Sequence, residues 1–241
     1  RSKYMGSGMG IFWTIINPLL LVILYTYVFS VVLKVRWGAD GSTAGYVFYL
    51  LSGMLPWIAI QESLTRSTTC IVDNAHLLKS FSFPSKIFPF YLSISALLNQ
   101  IIGIVILIVA IVLFRIKIGY SLILLPFLIL LQFVFMVGLA WIMATVHVFF
   151  RDTAQILNIV LVIWMFLTPI FYLESAVPAK FQTLLSVNPL NHLISGYRAV
   201  LLEGRMPDIY TIFLFGIIAF GIFIVGYWIF EKEQPNFVDY V

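Results

Sequence analysis

The sequence predicts an all-α integral membrane protein with six transmembrane helices. Of its 241 residues, 62% are hydrophobic and 10% are charged, whereas a soluble chain is about 45–50% apolar and about 25% charged. Six windows without Asp, Glu, Lys or Arg divide the chain, and each is long enough to cross a hydrocarbon layer of about 30 Å as a helix. They are too long for the strands of a membrane barrel, and a helix satisfies its own backbone in lipid.

The windows have unequal lengths, and each is expected to form one span. In chain order they are Tyr4–Leu33 (most apolar over Ile11–Leu33), Gly41–Gln61, Ile87–Phe114, Ile118–Phe150, Thr153–Leu173 and Ile209–Phe230. The first is too long for a signal peptide and has no small-residue cleavage site. An even number of spans places both termini on one side, and residues 1–241 are expected to form a single transmembrane domain.

The segment Glu174–Asp208 follows another pattern. Its two apolar runs, Phe181–Leu185 and Leu190–Leu202, are too short to cross a membrane. Asn188 and Pro189 separate them, and proline disfavours helix at the residue before it. The sequence therefore predicts two short re-entrant helices that pack on the spans, because irregular backbone at membrane depth must be covered by protein or water.

The basic loop residues do not orient the chain. Counted with both termini inside, the inner side holds Arg1, Lys3, Arg66, Lys79, Lys86, Arg151 and Lys232, and the outer side holds Lys34, Arg36, Arg115, Lys117, Lys180, Arg198 and Arg205. Orientation follows an excess of Lys and Arg in the cytoplasmic loops. Seven residues against seven give no such excess.

Several kinds of chemistry are absent from the sequence. No lysine follows a glycine, so a phosphate-binding loop of the GxxxxGK[ST] type is excluded. A single cysteine excludes an internal disulfide and a multi-cysteine metal site. The three histidines, His76, His147 and His192, have no carboxylate at ligand spacing. We therefore expect no cofactor and no metal on this chain, and scattered basic residues with a net charge of +4 give no sign of nucleic-acid binding.

Charged pairs flank two of the windows. Glu62 and Arg66 stand four residues apart after the second window, where an ion pair at the membrane edge is the main expectation and a substrate contact is the alternative. Arg151 and Asp152 follow the fourth window as a local anchor. Only Glu62 comes near a span among the carboxylates, which disfavours a proton-driven transporter.

Four groups of residues together resemble a known family. They are Arg1–Ser7 leading into Gly10–Trp13 and Asn17-Pro18, Leu51–Trp57 with its G-x-x-P-W pattern, Val148–Asp152 with its F-x-R-D pattern, and Asn188–Leu190 followed by Tyr197-Arg198. In this order they resemble the permease subunits of polysaccharide-exporting ABC transporters. The resemblance runs over the whole chain.

The resemblance implies a homodimeric pore in the bacterial cytoplasmic membrane, with two separate ATPase subunits that bind ATP and Mg. It implies termini inside, residues 174–208 outside, and residues 1–10 as the end of a cytoplasmic interface helix that begins upstream. The substrate would be a lipid-linked glycan such as O antigen, capsule or teichoic acid, and lipid surrounds the dimer.

In such exporters, the connection between the second and third spans docks on the ATPase as a coupling helix. Here it is residues 73–86, which Pro84 ends. The candidate coupling residues are His76, Leu77, Leu78, Lys79, Phe81, Phe83 and Lys86, with Arg1, Lys3 and Tyr4 as a weaker contact. A plain interfacial loop is the alternative.

Aromatic residues, 17% of the chain, suggest walls for a sugar pathway, although ordinary packing is the alternative for each ring. The candidates are Trp13, Asn17, Tyr25, Tyr27 and Phe29 in the first window, Trp57 in the second, and Asn158, Trp164, Phe166, Thr168 and Tyr172 in the fifth. Pro18 and Pro169 are expected to let these two helices bend.

Two other functions stay open at this point. One is an ABC exporter of a smaller lipid or drug, which shares the six-span plan. The other is an intramembrane glycan-modifying acyltransferase or hydrolase, which needs a base and a nucleophile that the sequence does not bring together.

Overall fold

The structure, a computed structural model, describes residues 20, 23–32, 34, 43–76, 84–116 and 119–240, and every regular element in these ranges is helical. A π-helical segment, Thr26–Val32, comes first. The α-helices are α1 (Thr43–Asp73), α2 (Ile87–Leu113), α3 (Leu125–Phe149), α4 (Thr153–Leu167), α5 (Ala179–Val187), α6 (Pro189–Leu201), α7 (Ile209–Glu233) and α8 (Phe237–Tyr240). Short 3₁₀ turns occupy Tyr120–Leu124, Glu174–Ala176 and Gln234–Asn236.

Four helical stretches in the described ranges are long and apolar enough to cross a membrane. They are Gly45–Asp73, Ile87–Leu113, Tyr120–Phe149 and Ile209–Tyr240. They match the second, third, fourth and sixth windows predicted from the sequence. The protein is therefore a multi-pass helical membrane protein, as predicted, while most of the first window lies outside the described residues.

The second window is longer as a helix than the sequence indicates. α1 continues past Gln61 to Asp73, through the charged residues Glu62 and Arg66. Arg66 Nη1 lies 3.0 Å from Glu62 Oε1, and such a pair at i and i+4 stabilises a helix. A window that stops at the first charge therefore ends too early.

The fifth window is shorter as a helix than expected. α4 has 15 residues and ends at Leu167 rather than Leu173, which gives a length of about 22 Å. Thr168 is extended, with φ −99° and ψ 134°, because the ring of the next residue, Pro169, disfavours helix there. Pro169 thus terminates the helix, and the expectation that it bends a continuous span is corrected.

Two short helices fill the segment before the last span, and they meet at Asn188, which corresponds to the predicted corner. α6 is almost entirely buried and packs on α1, α3 and α7. α5 buries only Leu185 and is otherwise exposed or half-exposed. The expected packing on the spans therefore holds for α6 and not for α5.

Two glycines allow α3 and α7 to approach closely. A Cβ atom added at Gly138 would lie 2.6 Å from the Cα atom of Phe223, and one added at Gly226 would collide with the carbonyl oxygen of Gly138. Both obstacles are helix backbone, which cannot turn away as a side chain does. Small residues at such crossings are typical of helix pairs in membranes.

Gly226→Ala should therefore destabilise the protein by about 1–3 kcal/mol, because the added methyl group forces the two helices apart. Gly221→Ala on the same helix is the matched control, since nothing lies within 4 Å of its Cβ position. Alanine is the better helix former by about 1 kcal/mol, so the control should be neutral or slightly stabilising. Thermal unfolding of the purified protein in detergent measures both. Equal midpoints for the two variants would contradict the close packing.

Candidate functional site

Three polar side chains form a closed hydrogen-bonded ring inside the bundle. Gln100 on α2 and Gln132 on α3 are paired through their amides: Nε2 of Gln100 donates to Oε1 of Gln132 at 2.9 Å, and Nε2 of Gln132 donates to Oε1 of Gln100 at 2.7 Å. The hydroxyl of Tyr197 on α6 donates to Oε1 of Gln132 at 2.7 Å and accepts from Nε2 of Gln100 at 3.0 Å. All three residues are buried.

The ring also reaches α1. Nε2 of Gln132 donates to the carbonyl oxygen of Pro56 at 3.2 Å. Every N–H and O–H of the three side chains then has an acceptor. Four helices are joined at one level of the bundle by groups that would be costly in contact with lipid.

A buried arginine lies next to Tyr197. Arg198 is 6% exposed, and its Nη2 atom donates to the carbonyl oxygen of Ile170 at 3.1 Å. Its Cζ atom lies 3.6 Å from the centre of the Tyr49 ring, a cation–π contact that is worth about 2 kcal/mol when desolvated. A Cβ atom at Gly53 would lie 3.0 Å from Nη2, so a glycine at this position leaves room for the guanidinium.

Asn188 ties the end of α4 to the start of α6. Its Oδ1 atom accepts from the backbone N–H of Leu190 at 3.1 Å, which caps α6, and from Nε1 of Trp164 at 3.0 Å. Its Nδ2 atom donates to Oγ1 of Thr168 at 2.9 Å. The Trp164 ring in turn packs edge-on against Trp57 of α1, with 6.3 Å between ring centres.

Charged groups join helices at the other end of the bundle. Lys86 Nζ lies 3.0 Å from Glu231 Oε2 near the end of α7. The carbonyl oxygen of Lys86 accepts from Trp141 Nε1 at 3.2 Å. The hydrogen bond to Glu231 raises the pKa of the Lys86 ammonium group. On α7, Glu231 is 20 residues from Thr211, about 30 Å along the helix, which equals the thickness of a hydrocarbon layer.

Comparison with known proteins decides the family. The family model described as ABC-2 type transporter matches residues 1–202 of this chain. The chain belongs to the ABC-2 type transporter family. It is therefore a transporter membrane subunit, of a family that works with an ATPase subunit, rather than an enzyme.

The curated relatives of this ABC-2 chain carry a common name. An O-antigen export system permease protein RfbA from Myxococcus xanthus is 27% identical over 241 residues, which cover 99% of this chain and 90% of the relative. Two proteins of the same name from Klebsiella pneumoniae are also 27% identical, over 240 and 242 residues, with the same coverage.

The structure divides the predicted pathway residues of this ABC-2 chain into three groups. Trp13 and Asn17 lie outside the described residues, as does the side chain of Phe29. Tyr27, Asn158 and Phe166 are exposed, and they stay candidates for a wall. The remaining candidates are buried or half-buried in this chain: Tyr25, Trp57, Trp164, Thr168 and Tyr172.

Trp57 and Thr168 are 1% and 0% exposed, so both side chains are packed inside this chain, and their place in a pathway stays a prediction. Trp164 is half-buried and held by Asn188. The half-buried Tyr172 donates its hydroxyl to the carbonyl oxygen of Phe166 at 2.9 Å. The Tyr25 ring lies 4.5 Å from the Phe171 ring, between ring centres.

Most predicted coupling residues cannot be placed. Arg1, Lys3, Tyr4, Leu77, Leu78, Lys79, Phe81 and Phe83 lie outside the described residues. His76 is exposed and helical, three residues after the end of α1. Lys86 is engaged by Glu231. The coupling role of residues 73–86 therefore stays a prediction.

The anchor residues have partners of different kinds. Glu62 pairs with Arg66, and its Oε2 atom accepts from Nδ2 of Asn99 on α2 at 3.3 Å. Arg151 donates from Nη2 to the carbonyl oxygen of Tyr240 at 2.9 Å, which ties the end of α3 to α8. Asp152 is exposed at the start of α4 and makes no side-chain cap there.

Sequence reasoning missed Gln100, Gln132 and Tyr49, and it treated Arg198 as an outer-loop charge. The two glutamines carry a signal, because an amide inside a charge-free window needs a partner on another helix. Burial removes Arg198 from the loop count. The count of basic loop residues then becomes seven on the inner side against six on the outer side, which still assigns no orientation.

The amide ring can be tested by a double-mutant cycle. Gln132→Leu leaves Gln100 with unpaired groups and should cost about 1–3 kcal/mol. Gln100→Leu should cost a similar amount for the same reason. The double variant removes both amides, so its loss should be smaller than the sum of the single losses by about 0.5–3 kcal/mol. Equilibrium unfolding in mixed micelles gives the three values, and strict additivity would argue against the ring.

Proposed function

We propose that this chain is the membrane subunit of an ATP-driven exporter that moves a lipid-linked polysaccharide across the cytoplasmic membrane. The observation that carries the proposal is the similarity, along 99% of the chain, to permeases named for O-antigen export in two bacterial species. The polymer belongs to the class of O antigen, capsule or teichoic acid. This chain supplies the pathway, and the energy comes from another chain.

The packing of the described helices supports a pathway between two copies of the chain. At the level of the amide ring the interior is filled by side chains such as Trp57, Phe135 and Tyr197, each at most 1% exposed. A polymer needs a continuous passage, and a core packed in this way does not offer one. We therefore place the passage at the seam of a homodimer, with α4 and the first span as its walls.

α4 suits the seam better than the other helices. It is too short to cross the hydrocarbon layer alone. It exposes an amide, Asn158, among apolar side chains, and about two turns further along it exposes the ring of Phe166. An exposed amide in contact with lipid is unfavourable. Facing a hydrated glycan, the same group finds hydrogen-bond partners, while the rings stack on sugar faces.

Two ATPase subunits complete the proposed transporter and bind ATP and Mg. We place them on the face that holds Lys86, Glu231 and Arg151, with both termini of the chain on that cytoplasmic side. The connection of residues 73–86 then forms the coupling helix. Lys86 would transmit movement from that connection to α7 through its ion pair with Glu231.

Deletion of the gene for this chain should abolish the glycan at the cell surface and leave its lipid-linked form on the inner side. A plasmid copy should restore export only together with the cognate ATPase. The purified chain alone should not hydrolyse ATP, because the sequence has no GxxxxGK[ST] loop. Surface glycan labelling measures export, and a phosphate-release assay measures ATP hydrolysis by the purified chain. Unchanged surface glycan with a redistributed small lipid would favour the smaller-substrate exporter, and hydrolysis by the chain alone would contradict the two-subunit arrangement.

Cysteine labelling tests the proposed topology. Lys180→Cys on α5 and Asn236→Cys after α7 both change exposed residues. In intact cells a membrane-impermeant maleimide should label Lys180→Cys and not Asn236→Cys, and lysis should expose both. Native Cys70 is 3% exposed, and the wild-type chain serves as the background control. The reverse pattern would invert the orientation.

A further inference from the structure

A polar cleft of about 390 Å³ opens where α5, α6, the turn Glu174–Ala176 and the start of α7 meet. Its volume is within the range of about 300–1,000 Å³ that small-molecule sites occupy. Eight of its nine lining residues are polar, and the exception is Leu185.

The lining groups can both donate and accept hydrogen bonds. Gln182 and Asn191 contribute amides, Glu174 contributes a carboxylate, and most of the others carry hydroxyl groups. Asn191 is 9% exposed, and its Oδ1 atom has no hydrogen-bond partner among the described residues. A hydroxyl group of a ligand can donate the hydrogen bond that this buried oxygen lacks.

The cleft is held together by a contact between its two helices. The Nε2 atom of His192 on α6 lies 2.7 Å from the carbonyl oxygen of Ser186 on α5. α5 buries little else than Leu185, so this contact and the corner at Asn188 position its polar side chains. The lining is therefore set by the same helix, α6, that carries Tyr197 and Arg198.

The charges of the cleft select among ligands. Glu174 is the only acidic residue in the lining, and no Lys or Arg is among the nine. A phosphate or pyrophosphate group would meet this carboxylate and no cation in the lining, which is repulsive; the guanidinium of Arg198, which also interacts with Glu174, is buried and does not line the cleft. A neutral ligand with many hydroxyl groups matches the amides, hydroxyls and carboxylate.

The cleft also has a defined place along the transport direction. Thr211 lines it, and Thr211 is about 30 Å along α7 from Glu231, which pairs with Lys86. The cleft and the ion pair therefore lie at opposite faces of a hydrocarbon layer of about 30 Å. In the proposed topology the cleft is on the outer face, where a polymer leaves.

We propose that this cleft is a binding site for uncharged sugar units of the exported glycan, and that it does not bind the phosphate-bearing lipid end. This inference rests on the proposed function. It adds that the transporter contacts the glycan at its exit through hydrogen bonds in which the sugar hydroxyls donate to Glu174 and to Oδ1 of Asn191 and exchange hydrogen bonds with the amide of Gln182. Hydrogen bonds of this kind are exchanged with water at little net gain, so a sugar held by them is released easily.

Saturation-transfer NMR on the chain in lipid nanodiscs tests the site directly. The probes are mannose, galactose and N-acetylglucosamine as uncharged sugars, and glucose 1-phosphate as the anionic comparison. We expect saturable signals from at least one uncharged sugar and none from glucose 1-phosphate. Gln182→Ala should weaken that binding by about two- to tenfold, the value of one neutral hydrogen bond.

Two further variants separate local chemistry from general damage. Thr183→Ala, also exposed and on α5 but not among the lining residues, is the matched control and should bind as the wild type does. Glu174→Lys reverses the one formal charge and should let glucose 1-phosphate bind. Thermal unfolding of each variant verifies that it is folded.

Each outcome decides the inference. Sugar signals that are equal in wild type, Gln182→Ala and Thr183→Ala would show that the sugars bind elsewhere and would overturn it. So would binding of glucose 1-phosphate by the wild type, or no saturable signal from any uncharged sugar. Surface-glycan assays in parallel separate the two proposals. Export without sugar binding contradicts the cleft alone, whereas sugar binding by a chain that exports no glycan contradicts the proposed function.

Discussion

The absence of water in the hydrocarbon layer is the constraint on which this structure depends. Every polar group at that depth needs a partner inside the protein. The closed ring of Gln100, Gln132 and Tyr197 meets this requirement and, with the carbonyl of Pro56, joins four helices at one level. Asn188 does the same for the ends of α4 and α6. Helix association in lipid has no hydrophobic driving force of its own, so these bonds and close glycine contacts determine which helices are neighbours.

Two of the four motif groups that carry the family resemblance, Leu51–Trp57 and Asn188–Leu190 with Tyr197-Arg198, are parts of one assembly. Gly53 leaves room for Arg198, Pro56 accepts from the glutamine that also binds Tyr197, and Trp57 contacts the tryptophan that Asn188 holds. Residues more than 130 positions apart in the sequence therefore act on the same helix, α6. The polar cleft is lined in part by α6, which also carries Tyr197 of the amide ring and is capped by Asn188. This arrangement connects the interior of the bundle to one membrane face.

The two membrane faces of the chain differ in chemistry. One face has an ion pair between helices, Lys86 with Glu231, and the hydrogen bond from Arg151 to the carbonyl oxygen of Tyr240. These charged contacts lie on the face where the proposed ATPase subunits would bind. The other face has a cleft lined mainly by amides and hydroxyls, with one carboxylate in the lining, and an ion pair between Glu203 and Arg205 within the connection that precedes α7. Weak and exchangeable hydrogen bonds suit a face that a sugar polymer passes. The division of labour in the proposed exporter follows from this difference.

The sequence by itself determined the membrane class, four of the spans and the corner at Asn188, because long charge-free windows and a proline are local signals. It also determined the family, through motifs in a fixed order. Only the tertiary structure decided that α1 continues through Glu62 and Arg66, that α4 stops before Pro169, and that Arg198 is buried on a tyrosine ring. The hydrogen-bond partners of Gln100 and Gln132 were also decided only by the tertiary structure. Each of these depends on what another helix places opposite the residue, and a linear pattern does not contain that information.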